Sequence, residues 1–340
     1  MKLTSFGELM LRFKPAACTR IIQATSFEAS FGGAEANVAT SLTLMGNQTA
    51  YITKLPTNML GEAAIYKLRG YGIDTTHILR GGERIGTYYF EKGTSIRGTN
   101  VIYDRAHSAF ATSTSDEYQW SKLLSGTNYF YVSGITPALS PALQEAVLDA
   151  AIYCHKSGIK VVYDANYRGK LWSPEEAQQF SKQLMPYVSI VFAHDEDFES
   201  SFGIKAFDGD MTNGIAQKTQ FKAAMKQLKA EYPNLDTIGS VLRNIYSVEN
   251  SQWSAILLQD DDFYESPVYD VHVYEGVGGG DAFAAGIMHG FMNHLTPQQT
   301  VEFGIAASVT KLTISGDFNL AYKDEIAALA NNHGSSAMNR

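Results

Sequence analysis

The chain has 340 residues, 45% of them hydrophobic, and a formal net charge of −8. That length supports a large buried core, and an acidic balance without any lysine or arginine run argues against nucleic acid or an anionic membrane as partner. No apolar stretch approaches bilayer length, the first residues lack the apolar segment of a secretory signal, and Cys18 and Cys154 fit no metal or redox spacing, so a reduced, cytoplasmic protein is expected.

Residues 2–6 read as a strand that ends at Gly7-Glu8. Residues 21–31 carry β-branched and aromatic side chains in rough alternation and predict one or two half-exposed strands, broken by Gly32-Gly33. A helix is predicted over 34–45 with Gly46 as its stop, a strand over 49–53, and a helix over 60–71 ending at Gly72. This alternation argues for a parallel sheet. The pattern then changes, because 86–92 and 99–105 predict two strands around 93–98, a hairpin with a longer loop. With the 21–31 segment they predict a small sheet outside the main one, a lid inserted at about 9–31 and 84–108. No helix covers it, so one face is expected to meet water, the ligand site or another subunit.

The alternation resumes with strands predicted over 128–132, 160–163, 189–192, 236–242 and 254–259. Helices are predicted over 141–156, 174–184, 220–231, 298–312 and 323–329, and after the glycines at 278–280. The expected fold is a single doubly wound α/β domain over 1–340, a mostly parallel sheet flanked by helices, with a small β-sheet lid. In such sheets ligands bind at the carboxyl ends of the strands.

Gly278, Gly279 and Gly280 are followed at once by Asp281 and then by helix-forming residues, with Ala282, Ala284, Ala285 and Met288 at helical spacing. A glycine turn that opens into a helix gathers free N–H groups and the positive end of the helix dipole on one spot, which suits a phosphate or a developing phosphoryl charge. An aspartate is out of place as an anion ligand, but it fits a group that orients and deprotonates an attacking hydroxyl. The same residues also fit a glycine loop before a core helix, with Asp281 as N-cap. No G-x-x-x-x-G-K-[ST] occurs, and Asp281 stands where the last glycine of G-x-G-x-x-G belongs.

Val277-Gly-Gly-Gly-Asp-Ala-Phe-Ala-Ala-Gly286 resembles the G-A-G-D signature of the ribokinase-like (PfkB) sugar kinases. Gly32-Gly-Ala-Glu-Ala-Asn-Val-Ala-Thr-Ser-Leu-Thr-Leu-Met-Gly46 resembles the family's N-terminal signature, in the right order. Within the family the chain is most similar to the 2-keto-3-deoxygluconate kinases, over nearly its whole length. The resemblance implies a ribokinase-like fold and an enzyme that uses ATP and Mg2+ to phosphorylate the 6-hydroxyl of that sugar acid. Asp281 would be its base and Gly278, Gly279 and Gly280 its anion hole. A neutral-sugar kinase, and less readily a non-catalytic sugar- or nucleotide-binding regulator, are the alternatives.

Further site residues follow from the same resemblance. Gly33 and Asn37 would contact the sugar, although they also fit a helix N-terminus with a polar first turn. Asp164-Ala-Asn-Tyr-Arg168 follows a predicted strand, and Asp164, Asn166 and Arg168 share a face if the loop is extended. The resemblance places Arg168 near the sugar acid and the phosphates, and Asp164 and Asn166 with the nucleotide. On the lid, Tyr103 and Arg105 face the same way, and with Tyr89 they would hold the substrate, the guanidinium meeting a carboxylate by shape and charge. The register that would bring Tyr89 opposite Tyr103 is left open by the sequence.

The run Val241-Leu-Arg243 with Trp253 after it, and 306–319 ending at Asn319, resemble the nucleotide side of these kinases. Two departures stand out. His194 and Asp197 occupy the N-x-x-E positions that order magnesium through water, and Glu275-Gly276 stands where an aspartate and a threonine or arginine are usual. A homo-oligomer through the outer lid face is expected, because an uncovered small sheet is otherwise a liability.

Overall fold

The computed structural model describes residues 1–332. Fifteen strands are present among them: β1 Lys2–Phe6, β2 Met10–Lys14, β3 Glu28–Gly32, β4 Gln48–Ile52, β5 Lys54–Leu55, β6 Leu79–Arg80, β7 Thr87–Glu91, β8 Asn100–Asp104, β9 Tyr129–Ser133, β10 Lys160–Asp164, β11 Val188–Phe192, β12 Thr237–Ile245, β13 Asn250–Gln259, β14 Asp262–Glu265 and β15 Tyr269–His272. The main sheet runs β14-β13-β12-β11-β10-β9-β1-β4, with β15 also on β13. From β4 to β12 every pairing is parallel, and β13 to β15 add an antiparallel edge. The central strands read as near-continuous apolar runs, such as the Val-Ser-Ile-Val-Phe of β11, because both faces of a parallel sheet are covered.

Helices Ala34–Leu44, Gly279–Met292 and Pro297–Lys311 cover one face, where Leu3, Tyr131, Val162 and Ile190 meet Val38, Phe283 and Ile305. Helices Pro141–Ser157, Pro174–Leu184 and Lys218–Glu231 cover the other, where Phe130, Val161 and Val191 meet Val147, Phe180 and Phe221. Helix starts follow local chemistry. Thr296 caps helix Pro297–Lys311 through a reciprocal bond pair with Gln299, and Pro297 takes the first helical position.

The lid is a separate four-stranded sheet, β3-β2-β7-β8. Residues 21–31 supply one strand, β3, within the expected one or two, and a 3₁₀ turn at Ile21–Gln23; the strand that was not expected is β2, an inner strand beside β7, whose polar Arg12 and Lys14 conceal a buried face. In the hairpin, Tyr88 pairs with Tyr103 and Tyr89 with Ile102. The short strands β14 and β15 and helix Asp197–Phe202 were not expected either. Each is too short to show a periodicity. Among the described residues no helix is long and apolar enough to cross a membrane.

Candidate active site

The loops at the carboxyl ends of β1 and β9 to β11, with Val241 and Arg243 of β12 itself, open with the lid onto one cavity of ≈ 730 Å³. Its floor is the start of helix Gly279–Met292. Gly278 precedes the helix with φ 75°, a left-handed conformation, and a side chain there would run into the Asp317 carbonyl. Asp281 is therefore the third helical residue and not its cap. Its carboxylate is 9% exposed and accepts 2.7 Å from Asn37 Nδ2. Burial lifts the Asp281 carboxyl to about 6, and the Asn37 bond works against that rise. Asn37, expected to contact the sugar, is thus engaged with Asp281 and fixes which way its oxygens point. Gly33 packs so that any side chain would meet the Glu8 carbonyl, which keeps the cavity wall flat.

The lid supplies the opposite wall. Tyr88, Tyr103 and Arg105 line the cavity. Tyr89 does not, because the register turns it to the outer face, where it packs on Phe13 at 5.4 Å and Phe27 at 5.8 Å between ring centres. The aromatic beside Tyr103 is Tyr88, with ring centres 5.8 Å apart. Arg105 gives two bonds to Glu8 Oε2, from Nε at 2.8 Å and Nη2 at 2.6 Å, so its charge is already matched. Glu8 also accepts from Ser108 at 2.5 Å. The sequence signals for Tyr88 and Glu8 were weak: a strand parity that only the register resolves, and one acid after a glycine.

The loop after β10 brings Asp164, Asn166 and Arg168 to the cavity, though not on an extended chain, since Asn166 has φ 40°. Asp164 accepts from the Tyr131 hydroxyl at 3.0 Å on one oxygen, and its other oxygen is buried without a partner. Burial and the nearby Asp197 and Asp281 hold its carboxyl well above the ordinary range. The Arg168 guanidinium is exposed at the cavity wall, donates to the Tyr167 carbonyl at 2.8 Å and makes no ion pair among the described residues, while its charge favours the ionised forms of Asp164, Asp197 and Asp281.

Asp197 accepts from the backbone N–H of Tyr167 and of His194 and so ties the loops after β10 and β11 together. His194 Nδ1 accepts from the Val241 N–H at 3.0 Å, and burial beside Arg243 and Arg168 keeps the ring neutral, with its pKa lowered to about 3. Both oxygens of Asp197 and one nitrogen of His194 are therefore occupied. Among the described residues no group of three His, Cys, Asp or Glu side chains could itself hold a metal ion. A magnesium ion carried in by a nucleotide would instead find the free oxygen of Asp164 and the exposed Glu196 at the cavity wall.

On the remaining side Arg243 lies 5.3 Å over the Trp253 ring and forms an ion pair with Asp195. Asn319 is not in the cavity. It is buried and donates to Ser41 Oγ and the Ala307 carbonyl, a tie between two helices. Glu275, one of the two departures, proves to be a structural anchor. It accepts from Arg12 and Lys14 of β2 at 2.5 Å each, while Arg12 also reaches Asp317 at 2.7 Å. Neither partner of that anchor was legible, because the paired residues are 261 to 305 positions apart in the chain.

A profile of the pfkB family carbohydrate kinases matches residues 1–321. The 2-dehydro-3-deoxygalactonokinase of Haloferax volcanii is 30% identical over 96% of this chain and 95% of its own length. The 2-dehydro-3-deoxygluconokinase of Bacillus subtilis is 24% identical over 96% and 95%. The crystal structure of the 2-dehydro-3-deoxygluconokinase of Thermotoga maritima superposes with a TM-score of 0.92 at 39% identity, covering 97% of this chain and 98% of that one.

Proposed function

We propose that this chain, which belongs to the pfkB family of carbohydrate kinases, phosphorylates a 2-keto-3-deoxy sugar acid, 2-keto-3-deoxygluconate first among them, at its 6-hydroxyl with ATP. The observation that carries the reading is Asp281, buried at the glycine turn with its carboxylate held by Asn37 at a cavity that the lid walls on the opposite side. Asp281 takes the proton of the 6-hydroxyl as that oxygen bonds to the γ-phosphorus and the bond to the β,γ-bridging oxygen breaks, leaving ADP. A carboxyl lifted to about 6 is a better base than an ordinary one and remains ionised near neutral pH. The N–H groups of Gly278 to Asp281 face the transferring phosphoryl group. Magnesium bound with the nucleotide neutralises phosphate charge.

The sugar carboxylate is assigned to Arg168, a cavity cation that makes no ion pair among the described residues, with Tyr103 and Tyr88 against the carbon chain and Arg105 held in place by Glu8. Arg243 and Trp253 form the nucleotide side. One observation favours a second reading: the Arg105 charge is spent on Glu8, as suits a neutral sugar. A coupled assay for ADP release over 2-keto-3-deoxygluconate, its galacto epimer, fructose and ribose separates the two. The sugar acids are expected to be preferred at least about tenfold in kcat/KM. Preference for fructose or ribose overturns the sugar-acid assignment, and no turnover with any of them favours a binding protein.

A further inference from the structure

Behind the glycine turn lies a cluster of charged residues, each 6% exposed or less: Arg12, Lys14 and Lys311 as cations, Glu275 and Asp317 as carboxylates. Arg12 pairs with both carboxylates and Lys14 with Glu275. Lys311, in the last turn of helix Pro297–Lys311, forms no ion pair among the described residues. Its ammonium donates to the Ile314 carbonyl at 3.1 Å, and its Cε lies 3.4 Å from where a Cβ on Gly278 would sit. The cluster thus holds one positive charge in surplus, buried directly behind the turn. Asp281, the next ionisable group toward the cavity, balances that charge while it is ionised.

We propose that Lys311 is a positioning residue that supplies a fixed positive charge behind the Gly278–Gly280 turn, a counter-charge for the nucleotide's terminal phosphate. When Asp281 accepts the hydroxyl proton its own charge disappears, and the surplus is then opposed only by the phosphoryl group. A buried charge of this kind acts through low dielectric and needs no contact with the ligand. The proposal rests on the nucleotide side of the kinase reading and not on which sugar is bound.

Burial pushes the Lys311 ammonium down to about 8, Arg12 adds to that, and Asp317, Glu275 and Asp281 pull the other way. Its charge is therefore present below about 8 and lost as pH rises through that value, whereas the Asp281 carboxyl titrates lower, near 6. The experiment is calorimetric binding of adenylyl imidodiphosphate with Mg2+, and separately of 2-keto-3-deoxygluconate or the sugar preferred in the assay above. It compares wild type, Lys311→Met and Lys311→Arg. At neutral pH the methionine variant is expected to bind the nucleotide roughly tenfold more weakly, as for unit charges about 10 Å apart at an effective dielectric of 20, with sugar affinity unchanged. Between about pH 7 and 9 nucleotide affinity should fall in the wild type and hold in the arginine variant. Equal loss of nucleotide and sugar binding, or wild-type nucleotide affinity in Lys311→Met, overturns the proposal. If the methionine variant does not fold, parallel pH curves for wild type and Lys311→Arg overturn it alone. A wild type that binds no nucleotide overturns the kinase reading as well, while a preference for fructose leaves this inference standing.

Discussion

Replacing Asn37 by leucine removes the amide that donates 2.7 Å to Asp281 and leaves a side chain of similar size. In the native protein that bond holds down a carboxyl which burial alone would raise further than about 6. A hydrogen bond to a charged group is worth about 1.5–3 kcal/mol, and one pKa unit is about 1.36 kcal/mol, so its loss should raise the Asp281 carboxyl by roughly 1–2 units. The base must be ionised to act. Activity is therefore lost as pH falls through the carboxyl's pKa, at about 6 in the wild type and at roughly 7–8 in Asn37→Leu. The assay is kcat/KM for the preferred sugar from about pH 5 to 9, with near wild-type values expected at the alkaline end. An acid limb that stays where it is, with rates lowered equally at every pH, would show that Asn37 does not act through the ionisation of Asp281.

Asp281→Asn should bind sugar and nucleotide normally and lose roughly 10²–10⁴-fold in kcat, and near-normal turnover would remove Asp281 as base. The same variant should melt higher at neutral pH. The native Asp281 keeps its proton up to about 6 where the unfolded chain releases it near 3.8, so stability declines across that window by about 3 kcal/mol, a cost that asparagine escapes; an unchanged melting temperature would contradict the raised carboxyl. Arg168→Ala should raise KM for sugar acids about tenfold or more without affecting fructose, and equal effects on both would reassign the carboxylate. Arg105→Ala should mainly destabilise, by about 3–5 kcal/mol in chemical denaturation, because it strands the buried Glu8, and Glu8→Gln in the same chain should recover part of the loss. The outer lid face carries Phe13, Phe27, Tyr89 and the half-exposed Ile102. It should join two copies, so sedimentation at micromolar concentration should show an oligomer, and a monomer would refute that contact.

The main sheet was legible because its strands are mostly apolar runs separated by helices with clear start and stop signals, such as Gly46 after the first and Pro297 at the start of a late one. The glycine turn was legible because its chemistry lies within four consecutive residues. What escaped depended on pairing across distance. Whether Tyr88 or Tyr89 faces the ligand is a matter of lid register, which shifts every side chain by one face when it slips by one residue. β2 escaped because Arg12 and Lys14 look like a solvated strand until Glu275 and Asp317 are placed beside them. Asn37 lay in a recognised segment and lines the cavity, and its bond to a residue 244 positions away adds a task that its neighbours did not suggest. Asn319 escaped in the opposite sense, because a polar residue in a loop near the cavity is turned inward to tie helices together.

The ion pairs of β2 also bear on how the protein is made. Arg12 is synthesised 263 and 305 residues before its carboxylate partners at 275 and 317. Until they arrive, the inner strand of the lid cannot be buried without stranding two cations, a penalty of several kcal/mol per ion. The amino-terminal half can therefore form its strands and helices during synthesis, but it cannot seal the lid root onto the main body. Completion waits for the carboxy-terminal segment, so a chain interrupted before Glu275 should leave the ribosome with neither carboxylate partner and with β2 accessible to chaperones and proteases.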